Sequence, residues 1–208
     1  MQHRACQKRH ASPIVNSLID KDGWLSDPNS KRMPSPNHDR RPDHIAIDLL
    51  VIHNISLPPG VFGTGMAQDL FLNQLDTSRD PWLAQIEGLK VSAHFLIERD
   101  GELTQFVSCL DRAWHAGLST FDGQQACNDF SIGIELEGTD EVAFTQAQYD
   151  QLANLTQTLR ATFPLAHVRG HSDIAPGRKT DPGPCFDWSL YAKKAGWQPH
   201  ELPARLST

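Results

Sequence analysis

The sequence predicts a single α/β (α+β) domain, a central mixed β-sheet flanked by helices, with a functional site at strand ends and loops. Three observations carry that expectation. Residues 45–54, IAIDLLVIHN, are a Val/Ile/Leu-rich run of the kind a strand covered on both faces needs. Residues 128–138, NDFSIGIELEG, alternate with a period of two. Residues 144–163 carry Leu152, Leu155 and Leu159 on one helical stripe. With 208 residues the chain can bury one sizeable core, so one domain with appendages is expected.

Taken in order, residues 1–44 are polar and rich in Pro, Asn, Asp and Arg without a lasting period, and are read as an arm, extended or partly disordered. The folded domain is expected over 45–196 and a C-terminal tail over 197–208. The strand at 45–54 stops at SLPPG, which leaves His53 at its carboxyl end. A long crossover follows, with a short helix near 66–75. Residues 91–107 place two strand-like runs either side of Asp100-Gly101, which predicts a hairpin.

In 128–138, Ile132, Ile134 and Leu136 share one face and Gly133, Glu135 and Glu137 the other. The next helix opens with Thr145 and Gln148 in capping-box register, and Phe144 and Tyr149 are placed as a hydrophobic staple. LAHVRG then forms a short strand into His171, and WSLYAKKAG a closing helix.

A formal net charge of −6 and a pI near 5.9 provide no basic field for a phosphate backbone, so nucleic acid is excluded as the main partner. No apolar run approaches the length of a membrane span, and the basic amino terminus lacks the apolar stretch and small-residue cleavage site of a signal peptide. A cytoplasmic protein is expected. Cys6, Cys109, Cys127 and Cys185 contain no CxxC pair and read as free thiols.

A catalytic zinc site takes three protein ligands and keeps a fourth position open. His53, His171 and Asp181 are candidates, the histidines each following a strand and Asp181 lying in a loop stiffened by Pro182 and Pro184. Spacing alone leaves other readings open, because no HExxH unites the histidines and an Asp before Pro-Gly is also a good turn former. Lys179 can be a solvated charge, and Glu135 and Glu137 the wet face of a strand.

Whole segments decide among these readings. LLVIHNISLPPG, VSAHFLIERDGE, RAWHAG, CNDFSIGIELEGTD and GHSDIAPGRKTDPGPCFDW resemble, in order and spacing, the AmpD-type zinc amidases, the cytoplasmic N-acetylmuramoyl-L-alanine amidases of peptidoglycan recycling. The likeness runs from about Gly23 to about Tyr191. It implies that His53, His171 and Asp181 hold one Zn2+, with Glu135 as general base and then general acid, and Lys179 as stabiliser of the oxyanion. His94 and His115 are not carried over as ligands and are expected to hydrogen-bond near the site, and Cys185 is the rival third ligand that KTDPGP disfavours.

The substrate implied is an anhydromuramyl peptide, cut between the lactyl carbonyl and L-alanine, with Asn54, Trp114 and Arg178 as contacts. Lys90 and Ala126 stand where enterobacterial members carry arginine, and Lys does not reproduce a bidentate Arg contact. A monomer without nucleic-acid or membrane partners is expected. A non-catalytic peptidoglycan-binding protein, or an envelope amidase acting on intact peptidoglycan, are the alternatives.

Overall fold

A computed structural model describes residues 18–204, so Cys6 and the signal-peptide reading of the amino terminus lie outside the described residues. The strands are β1 (Lys31–Arg32), β2 (His38–Arg40), β3 (Leu49–Ile55), β4 (Phe95–Ile97), β5 (Leu103–Gln105), β6 (Asp111–Ala113), β7 (Thr120–Phe121), β8 (Gln124–Gln125), β9 (Ser131–Glu137) and β10 (His167–Gly170). The helices are α1 (Met66–Phe71), α2 (Gln146–Thr162), α3 (His171–Ile174) and α4 (Trp188–Ala195). Six strands form one mixed sheet in the order β1-β5-β4-β9-β3-β10, in which β4, β9, β3 and β10 run parallel and β5 is antiparallel to β4.

Both faces of the parallel centre are covered, as its apolar sequence requires. Leu50 and Ile52 of β3 and Ile132, Ile134 and Leu136 of β9 pack with Leu152, Leu155 and Leu159 of α2 and with Trp188 and Tyr191 of α4. On the other face Leu49 and Val51 meet Ala116, Cys127, Phe130 and Ile174. A third cluster, built on Leu70, Phe71, Leu96 and Phe106, closes the crossover over the sheet.

Several predicted elements, among them β3, β4, β10 and α1, are shorter than their sequence pattern. The ladder of β3 begins at Leu49, because Ile45 to Asp48 run outside it and the Asp48 carbonyl accepts instead from Ala166 and His167. The crossover helix stops at Phe71, where Asn73 takes a left-handed conformation with φ 57°. The Asp100-Gly101 hairpin forms between β4 and β5, with Gly101 at φ 91°. Within residues 18–44, β1 extends the main sheet by pairing with β5, β2 forms a separate two-stranded sheet with β6, and Lys31 is ion-paired with Glu102.

Helix α2 has the capping box read from the sequence: Thr145 Oγ1 accepts from the Gln148 N–H at 3.1 Å and Gln148 Oε1 accepts from the Thr145 N–H at 3.0 Å. Removing a cap of this kind costs about 1 kcal/mol. We expect Thr145→Ala to lower the urea midpoint accordingly while leaving metal affinity unchanged, since α2 covers the face of the sheet opposite His53. A metal affinity that fell together with the midpoint would show that α2 is coupled to the site.

Candidate metal centre and catalytic cavity

The register of the parallel strands creates the site. His53 is the cross-strand partner of Glu135, and Gly170 pairs with Ile52, which puts the next residue, His171, beside His53. Ligand-binding groups at the carboxyl ends of parallel strands are the rule in open α/β sheets. The alternation that sends Ile52 and Ile134 into the core sends His53 and Glu135 to the opposite face. Asp181 arrives from the loop after α3, where its carbonyl accepts from the Ser172 N–H at 2.9 Å.

Three donor atoms converge. His53 Nδ1 lies 3.0 Å from His171 Nδ1 and 3.0 Å from Asp181 Oδ2, and His171 Nδ1 lies 3.1 Å from the same oxygen. The histidine side chains are 1% and 3% exposed and the aspartate 14%, so the group is dry except at one edge. His171 Nε2 is 3.0 Å from the Ala116 carbonyl, which can only accept, so the ring carries its proton there and turns a lone pair on Nδ1 toward the cluster. Lone pairs aimed at a common point repel unless a cation lies between them. A tetrahedral ion with bonds of about 2.0–2.1 Å sets its donors about 3.3 Å apart, close to the separations found. The donor set therefore fits a divalent metal, and among the described residues these three form the metal-competent His/Cys/Asp/Glu group. Cys185 is not part of it.

Glu135 stands beside the cluster with Oε2 buried and without a hydrogen-bond partner, an acceptor left for a proton or a water. Burial, reinforced by the charge of Asp181 and opposed by Lys179, pushes its carboxyl well above the usual range. Lys179, Glu135, His171, Asp181, His115 and Asn54 line one cavity of about 210 Å³, whose other wall is apolar and comes from Ile55, Leu57 and the crossover residues Leu70, Phe71, Ile86, Leu89 and Val91. The Asn54 amide is held by Asp140 at 2.8 Å.

Trp114 and Arg178 lie outside the walls of this cavity. Trp114 is half-buried, with its backbone N–H donating to Ser92 Oγ at 3.1 Å. Arg178 donates to the carbonyls of Ala116 and Leu118 and lines a neighbouring open cleft of about 1080 Å³ together with Ala126 and Asp173. Glu137 is buried, accepting from the backbone N–H groups of Gly63 at 2.5 Å and Arg99 at 3.2 Å, and so ties the crossover to β9. His115 contacts His53 directly, Nδ1 to Nε2 at 2.9 Å, and His94 accepts from the Gly133 N–H at 3.0 Å. Sequence reading found neither Ser131 and Asn128, which support His115, nor the apolar wall. Gly133 was their one available signal, since a Cβ there would lie 2.4 Å from His115 Cγ.

Fold and site together define a metal-competent hydrolase of the α/β class, and comparison with known proteins gives the class its name. The family model described as N-acetylmuramoyl-L-alanine amidase matches residues 42–184, and the chain belongs to that family. It is 53% identical over 176 residues to the 1,6-anhydro-N-acetylmuramyl-L-alanine amidase AmpD of Escherichia coli (strain K12), which covers 84% of this chain and 95% of the relative. A crystal structure of a Se-Met AmpD derivative superposes with a TM-score of 0.82 at 52% identity, covering 85% of this chain and 98% of that one. The amidase AmiD from E. coli, in complex with anhydro-N-acetylmuramic acid-L-Ala-D-gamma-Glu-L-Lys, matches with a TM-score of 0.52 at 31% identity over 74% of this chain and 60% of that one.

The buried rings make the metal-free site sensitive to acid. Burial first, then the charge of His171, hold His53 down at about 4, and burial likewise keeps His94 and His115 well below 6.5. Unfolded histidines titrate near 6.5, so acid protonates the unfolded chain first and each ring costs stability as the pH falls through that value. Glu135 has the opposite sign, since its raised pKa lets the folded chain take up a proton before the unfolded one. Burial pushes Glu98 up to about 7 with the same sign as Glu135. Three rings outweigh two carboxyls, and we expect the urea midpoint of the chelator-treated chain to fall between about pH 6.5 and pH 5. A flat or rising midpoint would show that the carboxyls dominate.

Proposed function

We propose that the chain is a Zn2+-dependent amidase that hydrolyses the amide between the lactyl group of (1,6-anhydro-)N-acetylmuramic acid and the L-alanine of a stem peptide, in cytoplasmic peptidoglycan recycling. The observation that carries this reading is the convergence of His53 Nδ1, His171 Nδ1 and Asp181 Oδ2 within 3.1 Å at the edge of a cavity that His171 and Asp181 line together with Glu135 and Lys179. The names of the AmpD relatives and the anhydromuropeptide bound to AmiD support the substrate class.

His53, His171 and Asp181 are the residues that would hold the ion, which when bound would supply Lewis acidity toward the scissile carbonyl and lower the pKa of water toward neutrality. Glu135, with its free Oε2, takes the proton from the attacking water and returns it to the alanine nitrogen as the carbon–nitrogen bond breaks. Lys179 at the same cavity stabilises the negative charge that develops on the carbonyl oxygen. Asn54, fixed by Asp140, is placed to hydrogen-bond the substrate beside the reacting carbonyl. Trp114 and Arg178 are assigned to parts of the substrate beyond the cavity, the sugar and a stem-peptide carboxylate, with Arg178 acting from the neighbouring cleft.

The free thiols of Cys109, Cys127 and Cys185 support a reducing compartment. No helix among the described residues is long and apolar enough to cross a membrane. The reading includes a monomeric state, which light scattering checks.

Loss of a single oxyanion donor costs on the order of 100-fold or more in rate. We expect Lys179→Ala to keep its zinc and lose kcat on that scale, and Glu135→Gln to behave alike; loss of metal from either would make that residue structural. The reading itself is tested by mass spectrometry of products from the zinc-loaded chain given anhydromuramyl tripeptide and intact peptidoglycan, with a chelator-treated control. Metal-dependent release of tripeptide from the small substrate alone supports it. Release from the intact wall would mean an envelope enzyme, and no release a binding protein.

A further inference from the structure

A neutral imidazole has one N–H, so its hydrogen-bond partners dictate which nitrogen is left to bind a metal. For His171 the Ala116 carbonyl makes that choice directly. His53 has no such carbonyl: its Nε2 faces another imidazole, His115 Nδ1, at 2.9 Å, and either ring could donate. The choice is made two groups further out. Ser131 Oγ lies 2.5 Å from the Cys127 carbonyl, which can only accept, so the single hydroxyl proton is committed there. The same Oγ lies 3.2 Å from His115 Nε2 and must therefore accept from it. His115 then has a bare Nδ1, His53 donates to it from Nε2, and His53 Nδ1 faces His171 and Asp181 with its lone pair.

The surroundings hold this chain in place. Asn128 Oδ1 accepts from the backbone N–H groups of His115 and Ala116, at 3.3 and 2.8 Å, so one side chain holds the backbone that carries the His115 ring and the Ala116 carbonyl. The buried guanidinium of Arg41 donates to the carbonyls of Asn128, Asp129 and Ser131 at 2.8–3.0 Å and fixes the segment from below. Gly133 leaves the room in β9 that the His115 ring fills.

We propose that Ser131, acting through His115, is a positioning residue for the metal centre, selecting the tautomer that makes Nδ1 of His53 the ligand atom. The inference rests on the reading that His53, His171 and Asp181 hold the ion. Ser131 is fully buried and touches none of the three, so sequence position does not suggest the role.

The test uses the full chain and Ser131→Ala, with zinc affinity measured by competition against a chromophoric chelator and the ring protons of His53 and His115 located by long-range proton–nitrogen NMR on the zinc-loaded protein. Removal of a group bonded directly to a metal ligand weakens binding about 10- to 100-fold, and because Ser131 acts one ring further out we expect a loss at the lower end of that range, about 10-fold. Wild type should show both rings protonated at Nε2 alone, and Ser131→Ala should show mixed signals for His115. Ser131→Thr, which keeps the hydroxyl, should restore the affinity. A Ser131→Ala chain that is less stable to urea yet binds zinc as tightly as wild type overturns the inference, as does a wild-type His115 protonated at Nδ1. A wild-type chain that takes up no zinc overturns the metal reading and this inference with it, whereas equal uptake by wild type and Ser131→Ala overturns this inference alone.

Discussion

Three electron-rich atoms held within 3.1 Å of one another, two of them on buried rings, form the constraint around which this molecule is organised. Each would be better solvated apart, so their closeness must be imposed by structure that is stable for other reasons. That structure is the parallel centre of the sheet. Its backbone bonds and the apolar residues on both faces fix the register of β3, β9 and β10, and once the register is fixed His53, Glu135 and His171 have no alternative placement. A slip of one residue in β9 would turn Glu135 into the core and bring Ile134 or Leu136 to the reacting face.

The same constraint explains why polar groups penetrate so far into the lower layer of the molecule. Ser131, Asn128, Arg41, His94 and His115 are all buried, and each has partners in the structure, most of them backbone groups. A buried network of this kind is costly unless satisfied, and when satisfied it specifies one arrangement. Arg41 makes the point clearly: burial lowers its pKa to about 10, and with backbone carbonyls as acceptors it stays charged at neutral pH.

Much of this was legible in the sequence where the signal is local. The period of two in 131–137, the capping box of α2 and the Asp100-Gly101 turn each have a physical cause within a few residues, and each element forms as read. The metal-competent trio was different. Spacing left His53, His171 and Asp181 as one possibility among several, and resemblance to a family singled them out; the geometry then brings them together. The supporting network left almost no trace, because Arg41 and Ser131 are 90 residues apart in sequence and a buried serine looks like any other until its neighbours are known. The start of β3 was misplaced for a related reason: Ile45 and Ile47 continue the apolar run, but Asp48 gives its carbonyl to Ala166 and His167, outside the ladder between β3 and β9.

The cavity has two kinds of wall. Its polar and ionisable groups come from strands, from His115 and from the segment that follows β10, while Leu70, Phe71, Ile86 and Leu89 come from a crossover that Glu137 moors to β9 through the Gly63 N–H. That crossover contributes bulk and shape without a charged or ionisable group at the cavity. Under the proposed function, the groups assigned to the chemistry and the groups that shape the cavity lie in separate stretches of the chain, so a substitution in the crossover would reshape the cavity and leave the polar groups in place.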